Sequence, residues 1–187
     1  MDDQDKRDIE SCLCGDKNAY GALVRRYQAR ISRLMWRFCR EPRTCEELVQ
    51  EVFVQGYLSL KDYRGDAPFE HWLSRVATFI GYRYWKKQAA ERAHLPAEPD
   101  EIAAPPSKDD SDLSKVGDML HALLARLNPE ERLVLTLLYF EECSIKEIAR
   151  RMKWTVSKTK VRAFRARNKL RDIAEEQNFL ERIGWTR

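Results

Sequence analysis

The sequence predicts an all-α protein, two small helical domains joined by a flexible linker. Three observations carry this expectation. Apolar residues recur at a 3.6-residue period on both sides of the chain's middle, and no segment alternates as a half-buried strand does. Residues 91–112 hold four of the 7 prolines and seven carboxylates against two cations, a composition that cannot bury a core. Near the C-terminus a short capped helix, a three-residue break and a long cationic helix follow one another, which is the helix-turn-helix pattern. A length of 187 residues allows one domain or two small ones, and Gly and Pro at 7 each exclude a fibrous or low-complexity chain.

The N-terminal domain is expected over residues 1–90. A short first helix falls around Ile9–Leu13. From Asn18, residues Tyr20, Leu23, Val24, Tyr27, Ile31, Leu34, Met35 and Phe38 form one stripe of a long helix, opposite Arg25, Arg26, Arg30, Arg33 and Arg37. The next helix runs from about Thr44, with Leu48, Val52, Phe53, Tyr57 and Leu60 inward and Glu46, Glu47, Gln50 and Glu51 outward. After the Lys61–Pro68 loop, a third long helix places Phe69, Trp72, Leu73, Val76, Ala77, Ile80 and Tyr84 on one side. Packing helix on helix lets a domain of this size bury a core.

Residues 91–112 read as an extended linker, and the second domain spans 113–175. It opens with Val116, Met119, Leu120, Leu123, Leu124 and Leu127. Asn128-Pro129-Glu130-Glu131 then starts a helix, with Asn128 as cap, Pro129 at the first position and acids in the first turn. Ser144-Ile145-Lys146-Glu147 has the capping-box form and starts the short helix Ile145–Met152. Lys153-Trp154-Thr155 breaks it, and Val156–Ile173 follows. In that last helix Val156, Thr159, Ala163, Ala166 and Leu170 make one buried stripe, while residues 157–171 carry seven cations and no acid. Seven like charges repel one another, and a duplex backbone relieves that by counterion release. The extension 176–187, with Phe179, Leu180, Ile183 and Trp185, is either a docking tail or a packed helix.

The net charge of +4 conceals this division. Residues 1–90 carry 16 basic and 13 acidic side chains, and residues 113–187 carry 16 and 10, so both flanks are basic around an acidic middle. Five scattered cysteines, an odd number, read as reduced thiols rather than a disulfide framework. Cys12-Leu13-Cys14 is too tight for zinc, and His94 and His121 lie far from any Cys pair, so no metal site is expected. No group of residues has catalytic spacing and no glycine loop cradles phosphate, so neither an enzyme nor a cofactor is expected. An acidic start, Asp2-Asp3-Gln4-Asp5, and the lack of a long apolar run point to a cytoplasmic chain without membrane insertion.

Two blocks of residues carry a family resemblance. Glu46-Glu47-Leu48-Val49-Gln50-Glu51-Val52-Phe53, then Tyr63-Arg64-Gly65-Asp66-Ala67-Pro68-Phe69 and Trp72-Leu73-Ser74-Arg75-Val76-Ala77, resemble region 2 of bacterial sigma-70 family factors. Leu127-Asn128-Pro129-Glu130-Glu131-Arg132-Leu133-Val134-Leu135 and the helix-turn-helix after it resemble region 4. With only these regions and a linker, the chain is similar to the extracytoplasmic-function (ECF) subgroup.

The resemblance implies a region 2 helical bundle and a region 4 helix-turn-helix that direct promoter-specific transcription initiation. Core RNA polymerase, through its β′ clamp helices and β flap, promoter DNA and an anti-sigma factor are the implied partners. Glu46, Glu47, Leu48, Gln50, Glu51 and Phe53 would bind core polymerase, the acids at the interface and Phe53 in the core. Tyr63, Arg64, Gly65, Asp66, Phe69, Trp72, Arg75, Arg83, Lys86 and Lys87 would meet the −10 element, where an unstacked base needs aromatic surface and the single strand needs cations. Ser157, Lys158, Lys160, Val161, Arg162, Phe164, Arg165 and Arg167 would read the −35 element, the early ones at base edges and the later cations on phosphates. The chain departs from the family at Thr78-Phe79, where an Asn is frequent, at Lys153, where a turn glycine is common, and at Trp154, which replaces a small aliphatic. The competing reading is a helix-turn-helix regulator that acts without polymerase, which leaves the first 90 residues unassigned.

Overall fold

A computed structural model describes residues 3–93, 112–176 and 178–179. The chain divides into two compact units, Met1–Trp85 and Lys86–Arg187. Among the described residues there are eight α-helices and no strand: α1 Asp3–Leu13, α2 Lys17–Met35, α3 Pro42–Leu58, α4 Phe69–Arg92, α5 Asp112–Ala125, α6 Pro129–Tyr139, α7 Ile145–Met152 and α8 Val156–Glu176, with a 3-10 turn at Leu60–Asp62. Most of the segment read as a linker lies outside the described residues. Its first two residues, Glu91 and Arg92, are the end of α4, and Asp112 begins α5.

In the first unit, local chemistry fixes where the helices start. The Asp16 carboxylate caps α2 by accepting from the Asn18 amide at 2.8 Å. Glu41 caps α3, accepting from Arg43 at 2.9 Å and Thr44 at 2.5 Å, and Pro42 takes the first position. The helix therefore begins two residues before Thr44. The bonds from Thr44 and Arg43 hold the Glu41 carboxyl below its ordinary pKa. Helix α1 begins at Asp3, six residues before Ile9, because Asp5 and Asp8 are buried against α2, where Arg26 pairs with both. Apolar periodicity cannot report such a charged contact.

The core of this unit is Leu23, Ile31, Leu34, Met35, Phe38, Val52, Leu60, Phe69, Leu73 and Trp85. Trp85 takes the inward place expected of Tyr84; its indole donates to the Phe38 carbonyl at 2.7 Å and the two rings stack at 4.5 Å. Gly81 lets α4 approach that ring, since a Cβ there would lie 2.2 Å from Phe38. Tyr57, expected inward, is 41% exposed and sets its ring on the edge of Tyr20 at 5.0 Å.

The second unit follows its capping residues. Both capping boxes form: Asn128 with Glu131 starts α6 and Ser144 with Glu147 starts α7. Leu123, Leu124, Leu127, Leu135, Ala166 and Ile173 make a core cluster, with Phe179 packed against it. The other apolar residues of the extension, 180–187, lie outside the described residues. Thr159, Ala163 and Ala166 are buried on α8, and their small side chains admit the neighbouring helices closely. Val156, the first member of the predicted stripe, is 39% exposed; it sits at the very start of α8, before the helix is covered. Between α7 and α8, Lys153 adopts the left-handed conformation (φ 54°, ψ 39°) that usually belongs to glycine. The Trp154 amide closes the turn on the Ala149 carbonyl at 2.8 Å, and the Thr155 hydroxyl accepts from the Lys158 amide at 3.1 Å.

Candidate nucleic-acid interface

The outward face of α3 carries Glu46, Glu47 and Gln50, all exposed, and Glu51, half-buried. Leu48 and Phe53 lie beneath it in the core. The apolar members of the face are instead Val54 and Leu58, 55% and 60% exposed. Steps of three, four and four residues from Glu47 through Gln50, Val54 and Leu58 run along one side of the helix, whereas Leu48, Val52 and Phe53 fall on the other. Following that step would have found both residues in the sequence. Beside Glu46 and Gln50, a groove of about 650 Å³ runs between α2 and α3, with Arg33 and Trp36 in its lining. The Arg40 guanidinium stands 5.6 Å from the Trp36 ring. This surface offers acids, an amide and an aromatic ring around the groove, with Arg33 in its lining and Arg43 paired to Glu47 at 3.5 Å.

A second surface is built on α4 and the loop before it. Phe69 is 1% exposed and forms a floor. Trp72, half-buried, tilts over it at 5.4 Å, and Tyr63, also half-buried, meets it edge-on at 5.6 Å and Trp72 at 5.4 Å. The Tyr63 hydroxyl donates to the Ala67 carbonyl at 2.6 Å, which closes the loop around exposed Arg64, Gly65 and Asp66. Gly65 has φ +75°, a conformation that an L side chain strains to reach. Burial, with Asp5 and Asp66 nearby, raises the Tyr63 pKa above its ordinary value.

From Trp72 the same side of α4 continues with Arg75, Phe79 and Arg83, aromatic and cationic residues at helical spacing. The Arg75 guanidinium lies 5.9 Å from the Phe79 ring, which is 41% exposed. Phe79 thus belongs to the surface, although its sequence position reads only as the absence of an expected Asn. Arg83 pairs with Glu51 on α3, joining one residue of each predicted set. Lys86 and Lys87 are exposed farther along the helix, and Lys87 approaches Glu91 at 3.8 Å.

On α8, Ser157, Lys158, Lys160, Val161, Phe164, Arg165 and Arg167 are exposed. Val161 and Phe164 put apolar surface in the middle of the cationic face. Lys160 and Arg167 flank a groove of about 370 Å³ that also reaches Leu138, Tyr139 and Ile145. Arg162 is set apart from the rest. Its guanidinium lies 4.4 Å from the Trp154 ring and pairs with Glu130 at the start of α6. Lys169 approaches Glu131 at 3.7 Å. Lys158 approaches the same Trp154 ring at 5.9 Å; Arg162 is the cation held most firmly within the unit, while Lys160, Arg165 and Arg167 face outward.

All five cysteines are free, four of them buried. Burial raises the Cys45 thiol to about 11, far from the thiolate that metal binding or nucleophilic chemistry needs. Among the described residues no cluster of His, Cys, Asp and Glu has the form of a metal site, and no helix is long and apolar enough to cross a membrane.

Residues 23–91 match the family described as sigma-70 region 2, and residues 117–170 match sigma-70 region 4. The RNA polymerase sigma-H factor of Pseudomonas aeruginosa is 29% identical over 179 residues, covering 88% of this chain and 91% of that one. The ECF RNA polymerase sigma-E factor of Haemophilus influenzae is 29% identical over 174 residues, covering 85% and 89%. In fold, the chain resembles CnrH, solved in complex with the cytosolic domain of CnrY, at a TM-score of 0.60 and 23% identity over 93% of this chain and 99% of that one. It also resembles the sigma factor RpoE of Bartonella quintana, solved with the anti-sigma factor NepR, at 0.58 and 17% over 83% and 96%. With both regions present in order and relatives of matching length, the chain belongs to the sigma-70 family of RNA polymerase sigma factors, in its extracytoplasmic-function group.

Proposed function

We propose that the chain binds core RNA polymerase and directs promoter-specific initiation, with residues 1–90 acting as region 2 and 113–175 as region 4. The observation that carries this is the succession of three unlike surfaces on one short chain. The α3 face, with Glu46, Glu47, Gln50 and Glu51 and the apolar Val54 and Leu58, docks on the β′ clamp helices. The Tyr63–Trp72 platform and the Arg75, Phe79, Arg83, Lys86 and Lys87 side of α4 take the melted −10 strand, stacking unpaired bases and neutralising phosphates. In region 4, Ser157, Lys158 and Val161 reach −35 base edges, Phe164 offers apolar contact to a thymine methyl, and Lys160, Arg165 and Arg167 hold phosphates. Region 4 also meets the β flap. The chain works in the cytoplasm and supplies no catalytic chemistry of its own; polymerase makes the bonds.

The solved relatives in complex with CnrY and NepR support an anti-sigma partner here too, one that covers these faces until a signal releases them. Run-off transcription with core polymerase on a genomic promoter library tests the main reading. Addition of this protein is expected to produce discrete start sites. If no template in the library gives a specific transcript, the reading fails and a polymerase-independent regulator takes its place.

A further inference from the structure

The aromatic platform does not rest on α4 alone. Phe69, its floor, packs on a fourth ring, Tyr27 of α2, with centroids 5.6 Å apart. The Tyr27 hydroxyl donates to the Asp5 carboxylate of α1 at 2.5 Å. Asp5 is 3% exposed and also takes one nitrogen of Arg26, whose other nitrogen reaches Asp8 at 2.7 Å. Gln4 donates to Asp8 at 3.1 Å. Helix α1 further contacts the 3-10 turn that leads into Tyr63.

A buried carboxylate is costly unless paired, and one that is paired fixes the groups around it. Here the fixed group is a ring whose far side carries Phe69. The network fastens α1 together with buried Ile9 and Cys12, and it also reaches the platform. Its distinctive product is the angle at which Tyr27 meets the floor of the platform.

We infer that Asp5 is a positioning residue for promoter melting: through Tyr27 and Phe69 it sets the angles at which Trp72, tilted 31° on Phe69, and Tyr63, edge-on to it at 83°, receive an unstacked base. The inference rests on the −10 reading proposed above and adds α1 to it. Stacking on a protein ring is sensitive to plane and offset, so a tilt at the floor weakens base capture while leaving distant surfaces intact.

The test uses the full chain in holoenzyme, on a promoter recovered from the run-off screen. Asp5→Asn keeps the shape but removes the charge that holds Arg26 and Tyr27. Tyr27→Phe keeps the ring on Phe69 and removes only the bond to Asp5. Both are expected to lower permanganate reactivity of melted thymines about fivefold, part of the stacking that one base supplies. Affinity for core polymerase and heparin-sensitive duplex binding should stay unchanged. Tyr63→Ala and Trp72→Ala serve as the reference. If these open the promoter poorly while both network variants open it normally, the inference fails alone. If all four open it normally, the −10 reading fails and takes the inference with it. A fall in core affinity and thermal midpoint parallel to the loss of melting would make Asp5 a structural residue only, and would overturn the inference as well.

Discussion

Arg162 lies against the Trp154 ring and Glu130, whereas Arg165, three positions on, is exposed. Their substitution should therefore have opposite signatures. Arg162→Ala removes a cation–π contact and a partly shielded ion pair, which together stabilise by about 1–2 kcal/mol, so the unfolding midpoint of the second unit falls. Arg165→Ala should leave that midpoint unchanged and instead weaken promoter binding at every sequence, reducing the salt slope by about 0.9, the share of a single neutralised phosphate. Urea titration and salt-dependent DNA binding on both variants separate the two. The sequence makes these cations look alike because spacing on α8 is all it displays. Glu130 is 32 positions away, and only the packed helices bring it to Arg162. Asp5 and Arg26 illustrate the same limit: charged residues that meet across helices leave no periodic trace.

Within elements, much was legible where a local rule decides. The caps at Asn128 and Ser144 form as their spacing predicts, because a capping box is complete within four residues. The Ser144 amide and hydroxyl both donate to Glu147, which holds that carboxyl below its ordinary pKa. A depressed folded value contributes stability that is present above the ordinary glutamate value, about 4.3, and is lost as pH falls through the folded value. The stability gap between wild type and Glu147→Gln should thus be widest at neutral pH and close as the solution is acidified below about 4.3, as urea midpoints across pH will report. On α3 the acids face outward and Leu48 and Phe53 lie inward, as the periodicity predicts. The exposed apolar residues of the outward face, Val54 and Leu58, are not among those expected there. One position separates buried Phe53 from exposed Val54, and helix phase decides between them. Val54→Asp with Leu58→Asp should weaken core polymerase binding at least tenfold with little change in thermal stability, since both side chains are more than half exposed. Leu48→Ala should do the reverse, destabilising the first unit by about 2–5 kcal/mol with binding retained in the folded fraction. Loss of binding without loss of stability at Leu48 would return that residue to the interface.

Across the whole molecule, order and charge were the readable features. Region 2, an acidic proline-bearing segment and region 4 follow one another, and that succession is visible without coordinates because each block carries its own composition. Basic flanks around a segment of seven carboxylates and two cations put the charge complementary to DNA in the flanks. The carboxylates of that segment outnumber its cations seven to two, so it carries the charge sign of a nucleic acid backbone. The family resemblance implies that the segment between the regions threads toward the active-site cleft and the RNA exit path, where its carboxylates would face a basic channel that RNA phosphates later enter. Replacing Asp109, Asp110 and Asp112, the last at the start of α5, by Asn removes three of the seven carboxylates and leaves the prolines in place. A channel ligand so weakened should loosen holoenzyme, read by competition for core polymerase, or change the ratio of abortive to full-length RNA at a fixed promoter. A spacer would tolerate the change, because its length and stiffness are untouched. Wild-type behaviour in both assays would therefore assign the acids to solubility alone. A shift in abortive yield with unchanged core affinity would place their action after initiation begins, where the growing RNA and the acidic strand compete for the same cationic surface.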